Sequence, residues 1–496
     1  MERYFSETQT KQLVAEMITP FLRRINEVEK RVVELEGQNA QLKKRVVELE
    51  NENATLKKDS SNSSKPPSSD IVKPPSSSPS KAKGKALGKI GGQVGHVRHE
   101  RCELPPEQVD RFQTHVLERC PDCGGTVQAT GEVVASLQQM ELVPKPVEVI
   151  EHHAARVRCT CCLRYHDTPL PAGIRKAGLL GPRLTALLGW FKSQGHDSYS
   201  IMAEFLRDVA GCKVSRGLLA KAIQKVSHAL AEPYALLSEA LVHEPVLNVD
   251  ETGHPENKKR MWTWVFRADK FTVFHIDPSR GSQVLDKVLS KEFKGVLGCD
   301  YFSAYRKYMN RCDEDGNKSQ VLTQFCLAHL IRDLKFIAGL KDAQATRWAN
   351  QMLAGMRRLF GVIHRREKMS PAGFQRSLEK ARDVVLLRGK RGPPRNDVQN
   401  LVERFRKHGD AYFRFVTEPG ISPTNNLAEQ ALRCVVIDRR LTQGTRSFRG
   451  REWCARIWTI AATCRQQARS FFDYLSDAHH ASFEKQPIPS PLLTKL

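Results

Sequence analysis

From Ile18 to Leu56 the apolar positions repeat with a period of seven. Ile18, Ile25, Val32, Asn39, Val46 and Asn53 fall at a, and Phe21, Val28, Leu35, Leu42, Leu49 and Leu56 fall at d. A seam sustained over this many heptads predicts a coiled coil. Branched residues at a with Leu at d favour a parallel pair, and Asn at a fixes its register. In such a pair Arg24 would meet Glu29 across the seam, Arg31 would meet Glu36, Arg45 would meet Glu50 and Glu52 would meet Lys57. Residues 1–58 are expected to be a dimerisation helix.

The pattern then stops. Residues 59–100 contain "SSNSSKPPSSDIVKPPSSSPSKAKGKALGKIGGQVGH", rich in Ser, Pro, Gly and Lys. Such a stretch predicts a tether without a core of its own. Residues 101–170 carry two strand-like segments, one of them "KPVEVIEHHAARVRC". Residues 171–243 read as helices. Within them "YSIMAEFLRDVAGCKVSRGLLAKAIQKVSHAL" gives two amphipathic stretches joined through Gly211, with Ser215 as N-cap. They form either a helix-turn-helix that enters a major groove or a pair that only packs.

From residue 244 the pattern alternates between strand and helix. "VLNVDETG" reads as a buried strand that ends in Asp250 and Glu251, followed by a break. "MWTWVFRAD" and "FTVFHID" form an expected hairpin, "SQVLDKVLS" a helix, and "GVLGCD" a second strand ending in Asp300. "YFSAYRKYM" is helical and "QVLTQFCLAHL" supplies another strand. The expected class is multidomain α+β, with a catalytic region over 244–475 and a tail over 476–496.

Composition narrows the partners. The 496 residues include 78 Lys and Arg against 55 Asp and Glu, a net charge of +23. Such an excess points to a polyanion, most simply DNA. The sequence has no apolar run long enough to span a bilayer, and "MERYFSETQTK" is not a signal peptide, so no membrane partner and a cytoplasmic, nucleoid-associated protein are expected. Thirteen cysteines, an odd number, argue for thiols and a metal site over a disulfide framework. Cys120 and Cys123 ("CPDC", then two glycines) with Cys159 and Cys162 ("CTCC") fit one tetrahedral thiolate zinc, and Cys161 is a spare.

Two short strands that each deliver an Asp can set carboxylates side by side, where like charges need a cation. Hard divalent ions, Mg²⁺ or Mn²⁺, take such oxygen ligands, and two of them can drive phosphoryl transfer. Asp250 is thus a candidate ligand, while Glu251 points the other way on an extended chain. "SPTNNLAEQALR" opens a helix with Asn425 and Asn426 at its start and Glu429 soon after. Arg433, Arg439, Arg440, Arg446, Arg449 and Arg451 follow as candidate phosphate contacts. Beside so many arginines Glu429 is either a structural ion-pair partner or a third metal ligand.

"NVDETG", "CDYFSAY", "CLAHLIRDLKFI" and "NNLAEQALR" closely resemble, in order, the motifs of the insertion-sequence-66 family of bacterial DDE transposases. The N-terminal coil, "SSNSSKPPSSD", "GGQVGH" and the paired C-x-x-C element are similar too, so the resemblance covers nearly the whole chain. It implies a ribonuclease H-like core with Asp250, Asp300 and Glu429 as the metal triad, two metals per site, and a helical insertion over about 338–420. Related transposases carry Cys or Asp, two residues, then His after the second Asp; Cys326 and His329 match, which makes His329 a further catalytic candidate. The chain departs from the pattern at Tyr301, where Gly is usual, and at Leu327, where an aromatic is common. Neither change removes an oxygen ligand. The implied activity is cutting at the element's terminal inverted repeats and joining the 3′-hydroxyl ends to target DNA, with helper proteins of the same element as further partners. The rivals are a metal-dependent nuclease or resolvase on the same fold, and a non-catalytic, zipper-dimerised DNA-binding regulator.

Overall fold

The computed structural model of the chain describes residues 7–56, 103–144, 146–312 and 318–493. The expected tether, 59–100, lies outside the described residues. Helix α1 (Glu7–Leu56) is continuous through the heptads. Its seam faces solvent: Phe21 is 68% exposed and Leu42 62%.

The chain divides into two compact units. The smaller comprises the described part of Ser76–His153 together with Ala203–Ser215. In it Leu104 and Gln138 exchange two hydrogen bonds of 2.7 and 2.8 Å. The two strands expected between the cysteine pairs do not form over 127–155. Val133, Val134, Leu137, Val149 and Ile150 are all exposed, so the apolar alternation has no second layer to bury against. Only the end of that stretch is extended: β1 (Arg156–Arg158) pairs antiparallel with β2 (Tyr165–Asp167) in the larger unit.

The larger unit continues with α2 (Ala172–Ala177), α3 (Pro182–Trp190), the first residues of α4 (Tyr199–Asp208), α5 (Arg216–Ala229) and α6 (Ala231–Ala240). Gly211 adopts a φ of +65°, which glycine allows without strain, and so breaks the chain between α4 and α5. The body of the unit is a five-stranded mixed sheet in the order β5-β4-β3-β6-β7. Its strands are β3 (Val246–Glu256), β4 (Lys259–Arg267), β5 (Thr272–Asp277), β6 (Val296–Cys299) and β7 (Leu322–Phe325). The first three are antiparallel, and β6 and β7 run parallel to β3.

Strands β3 and β7 both depart from the expected runs. β3 does not stop at Asp250 but continues to Glu256 and turns through Asn257 and Lys258, both at positive φ (46° and 66°). Positive φ at both central residues is what a tight two-residue hairpin turn needs. Beyond Asn248, however, β3 is paired on one side only. Its parallel ladder with β6 ends at Asn248↔Gly298, while the antiparallel ladder with β4 runs on to Glu256↔Lys259. The strand expected over "QVLTQFCLAHL" is shorter than its apolar run: β7 ends at Phe325, because Cys326 stands at the N-cap of α9 (Leu327–Ala338).

Helices α7 (Gln283–Leu289) and α8 (Ser303–Met309) connect the strands. After α9 come α10 (Ala343–Ile363), α11 (Pro371–Gly389), α12 (Asn396–His408) and the short α13 (Arg414–Thr417). Then α14 (Asn426–Thr442), α15 (Phe448–Gln466) and α16 (Phe471–Glu484) complete the unit. The boundary at 475 falls inside α16, whose Tyr474, Leu475 and Ala478 are buried, so the expected tail begins within the core.

Successive side chains of β3 point to opposite faces. Asn248, Thr252 and His254 meet α14, the loop after it and α15: Asn248 bonds Asn425, Thr252 bonds Arg439, and His254 packs edge-on against Trp458. Glu251 points to the other face and meets Tyr305 of α8. Asp250 therefore shares the α14 face.

Candidate active site

The half-open edge of β3 is where the carboxylates gather. Asp250 is the first residue of the α14 face beyond the end of the β6 ladder, and Asp300 follows the last residue of β6. Glu429 stands in the first turn of α14, with its N–H bonded to the Asn425 carbonyl at 3.2 Å. Burial, and then the charges of Glu251, Asp300 and Glu429, pushes the Asp250 carboxyl well above the usual carboxylate range. Burial and the Glu251 charge push Asp300 up to about 7. Carboxylates 50 and 179 positions from Asp250 in sequence are thus close enough in space to resist its ionisation. Each aspartate spends one oxygen on local backbone: Asp250 Oδ1 accepts from the N–H of Glu251 and Asp300 Oδ1 from that of Phe302, both at 2.9 Å. The remaining oxygens are free to take a cation.

His329, Cys326 and Glu429 form a group whose candidate ligand atoms lie within 4.8 Å of one another. His329 Nδ1 is 3.7 Å from Glu429 Oε1, and both atoms are buried without a hydrogen-bond partner. Two orphaned polar atoms facing each other leave room for a third group that satisfies both. Burial lowers the proton affinity of His329, which favours the neutral, ligand-competent imidazole. Glu429 Oε2 lies 3.4 Å from Arg332 Nη2. The grouped donors are thus Glu429, His329 and Cys326, and the two aspartates, whose link to Glu429 is the effect of its charge on Asp250, add oxygen ligands of the kind hard divalent ions take.

Asn425, buried to 2% exposure, aligns these elements. Its amide donates to the Val249 carbonyl at 2.8 Å and accepts from Asn248 Nδ2 at 3.0 Å, while its backbone N–H meets Cys326 Sγ at 3.1 Å. One side chain thereby pins α14 to β3 beside Asp250, and its backbone ties α14 to the start of α9. Cys326 serves this junction as a buried acceptor.

Glu251 does point away from Asp250, as an extended chain requires, but it does not reach water. It is 3% exposed, its Oε1 accepts from Arg280 Nε and Nη2 at 2.9 and 2.8 Å, and its Oε2 accepts from the Tyr305 hydroxyl. Arg280 is itself set against Trp262 and Phe302, at 4.6 and 4.1 Å from the two ring centres. Glu251→Gln is accordingly expected to lower stability by about 1–3 kcal/mol, the cost of leaving buried partners unsatisfied. Thermal melting checks this, and divalent-cation affinity should be retained in the same variant.

The departure at Tyr301 has a packing reason. Its ring lies edge-on to Phe325 at 5.1 Å, stacks with Tyr412 at 6.4 Å, and has the Arg306 and Arg404 guanidiniums 4.4 and 4.5 Å from its centre. The α12 region thus seals the residue next to Asp300. Leu327 is fully buried at the start of α9.

The six arginines separate. Arg433, Arg440, Arg446 and Arg449 are exposed. Arg439 is buried and donates to Thr252 Oγ1 at 2.8 Å and to the Gly253 carbonyl, so its side chain belongs to the core and not to a phosphate-facing surface. Arg451 is half-buried and lies 3.6 Å from Glu256.

The two cysteine pairs fold into the same turn, each within its own unit. Cys120 N–H bonds the Gly125 carbonyl at 2.9 Å, and Gly124 N–H returns to the Cys120 carbonyl at 2.9 Å. Cys159 repeats this with Arg164 at 2.8 Å and Leu163 at 3.0 Å. The residue four beyond each first cysteine has positive φ: Gly124 at 71° and Leu163 at 60°. Backbone N–H groups of Asp122 and Cys123 lower the Cys120 proton affinity, and those of Cys162 and Cys161 do so for Cys159. Cys161 thus sits in the second turn where Asp122 sits in the first, contributing an N–H, and Cys162 is the counterpart of Cys123.

The triad candidates, the cysteines and His329 stand out in the sequence. Arg280, Tyr305 and the clamp role of Asn425 do not, and for Asn425 the only signal is an Asn-Asn pair ahead of a helix.

Residues 177–452, more than half of the chain, match the Transposase IS66 family. Residues 118–162 match the zinc-finger binding domain of transposase IS66, and residues 17–102 match a family of unknown function. Two curated proteins of Sinorhizobium fredii (strain NBRC 101917 / NGR234), both named as uncharacterized, are similar. One, y4hP, is 22% identical over 397 residues, 73% of this chain and 70% of that protein. The other, y4qI, is 24% identical over 334 residues, 62% of this chain and 60% of that protein.

Proposed function

Because the chain belongs to the IS66 family of insertion-sequence transposases, we propose that Asp250, Asp300 and Glu429 are its DDE triad and cut and join DNA. The observation that carries this reading is that the charges of Asp300 and Glu429 both act on the Asp250 carboxyl at the one-sided edge of β3, where Asp250 and Asp300 each stand two residues beyond the last parallel pair, Asn248↔Gly298. The sheet order, three antiparallel strands followed by two parallel ones, supports a ribonuclease H-like core. Asp250, Asp300 and Glu429 would hold two divalent cations, with His329 Nδ1 beside Glu429 as a further donor. When bound, such ions supply Lewis acidity that activates an attacking oxygen and steadies a leaving one.

The chain's own residues do the remaining work. Asn425 fixes Glu429 against β3, so the ligand geometry does not depend on a loop. Glu251, Arg280 and Tyr305 hold the strand from behind. Arg433 and Arg440 lie four and eleven residues after Glu429, hence on its face of α14, and are proposed to track a DNA backbone leading away from the carboxylates. Water would be the first attacking group, at the element's inverted repeats, and the freed 3′-hydroxyl the second, at target DNA, by in-line displacement. Among the described residues no helix is long and apolar enough to cross a membrane.

The test is a two-part reaction: cleavage of DNA carrying the element's ends with Mg²⁺ or Mn²⁺, then joining of pre-cut ends to a plasmid. Joining separates a transposase from a nuclease or resolvase. Loss of both reactions in Asp300→Asn, with DNA binding kept, separates either enzyme from a regulator.

We also propose that α1 pairs with a second copy through its exposed seam. Deleting residues 1–58 should give a monomer by light scattering with the melting of the remainder unchanged. A deletion protein that stays dimeric removes the zipper from the account.

A further inference from the structure

Phe448 is a large ring left 60% exposed on a chain of net charge +23, and its surroundings are not those of a casual surface residue. The loop that carries it, 443–447, is sewn to the end of β3. Thr445 N–H bonds the Pro255 carbonyl at 3.0 Å, Asn257 N–H bonds the Thr445 carbonyl at 2.9 Å, and Thr445 Oγ1 meets both Glu256 Oε2 at 3.1 Å and His254 Nε2 at 3.0 Å. Gly444, at φ +85°, makes this fit possible: a Cβ there would lie 2.0 Å from the Pro255 carbonyl oxygen. Ser447 then caps α15, its Oγ accepting from Gly450 N–H at 3.3 Å, which sets Phe448 as the first helical residue. The Arg451 guanidinium lies 5.1 Å from the Phe448 ring centre and is itself 3.6 Å from Glu256. One side of the ring is thus backed by a cation anchored on β3, and exposed Arg446 and Arg449 flank it.

We propose that Phe448 is a stacking platform for an unpaired DNA base, held a fixed distance from the triad. The inference rests on the reading that DNA is acted on at the carboxylates, and adds where a strand is gripped. From Glu429 to Thr442, α14 advances about 20 Å at about 1.5 Å per residue. From Asp250 to Glu256, β3 advances about 20 Å at about 3.3 Å per residue. Both tracks end at the loop bearing Phe448, so the ring stands about six base steps of about 3.4 Å from the carboxylates. Arg433 and Arg440 line the interval on the Glu429 face. An aromatic face beside arginines favours nucleic acid, since every base offers a π-face and every phosphate a charge. Exposed Ile437 and Leu441 also lie on α14, so a protein partner is the competing occupant that the experiment must separate.

The experiment measures binding of the full chain, in EDTA so that no cleavage intervenes, to three labelled DNAs of one length. They are a blunt duplex, a duplex with a short single-stranded 3′ overhang, and the same overhang made abasic. The wild-type protein should prefer the base-bearing overhang to the abasic one by about tenfold. Phe448→Ala should abolish that preference while keeping affinity for the blunt duplex, and Phe448→Trp should keep the preference. Equal preference in Phe448→Ala and wild type overturns the proposal. So does an equal loss on all three DNAs, or a change in oligomeric state with DNA binding unaltered, which would give the face to a protein. Because no reaction is needed, an intact base preference in a protein that fails to cleave counts against the triad alone.

Discussion

Asp250→Asn is expected to reduce end cleavage by about three orders of magnitude or more, with DNA binding intact. Two buried aspartates with raised proton affinities, one of them raised in part by the charges of Asp300 and Glu429, are a poor arrangement for a protein that has no cation to hold. Asn keeps the shape of Asp250 and its acceptor to the Glu251 N–H, and removes only the charge. Metal activation supplies several kcal/mol of transition-state stabilisation, and each 1.36 kcal/mol is tenfold in rate. Asp300→Asn and Glu429→Gln should match it, and combining them should add little if the three act as one unit, as proposed. Phosphate contacts are proposed to lie elsewhere, on Arg433 and Arg440, so binding should persist and weaken with salt. Cleavage that survives Asp250→Asn would sink the triad.

The same electrostatics gives a stability signature that does not depend on activity. Asp300 ionises near pH 4 in an unfolded chain and at about 7 in the fold. A raised carboxyl favours the folded state below its unfolded value, and that contribution is lost as pH rises from about 4 through about 7. The metal-free protein should therefore lose this stability across that window, and Mg²⁺ or Mn²⁺ should raise the melting temperature most at its upper end. Asp300→Asn, tested metal-free at pH 8, should melt higher than wild type, a stabilisation that comes with loss of function. A melting temperature insensitive to both metal and substitution would remove the repulsion from the account.

The other large effect concerns the cysteines. The family's zinc-finger domain covers 118–162, and a structural zinc is expected there. Cys120→Ser with Cys123→Ser should take zinc from one per chain to none by metal analysis. The segment between the pairs has little else to hold it: Val134 is 92% exposed and Leu137 90%. Structural zinc contributes about 10–16 kcal/mol in small domains that lack a core, so its removal should unfold this part outright. Limited proteolysis after chelation should cut within 103–170 and leave the 246–484 core resistant. Cys161→Ser should keep its zinc, because the turn uses that residue for its backbone N–H. Zinc retained in the double variant, or lost in Cys161→Ser, would reassign the ligands.

How much of this was legible in the sequence depends on how local each feature is. The heptads of α1, the hairpin β4–β5, and the helices α7, α8 and α14 follow from periods of seven, two and 3.6, which each segment carries in itself. The two C-x-x-C turns are equally local, since each closes within six residues. Asp250 and Asp300 were legible as candidate ligands because two apolar runs each end in an Asp and can set the carboxylates side by side. What failed was whatever needed a distant partner. The run through Asp250 was read as ending there because acids seldom continue a buried strand. It continues because β4 pairs with it on one side while β6 stops on the other. Arg439 looked like its neighbours and is buried because Thr252 and Gly253, nearly 190 positions earlier, present it with acceptors. Glu251 looked spare and is held by Arg280 and Tyr305, and Asn425 looked like an ordinary helix start and joins three elements. Periodicity states which side of an element is apolar, but the partner of a buried polar group is fixed only when chain closure brings distant segments within hydrogen-bond range, and an unsatisfied group there is too costly to leave to chance.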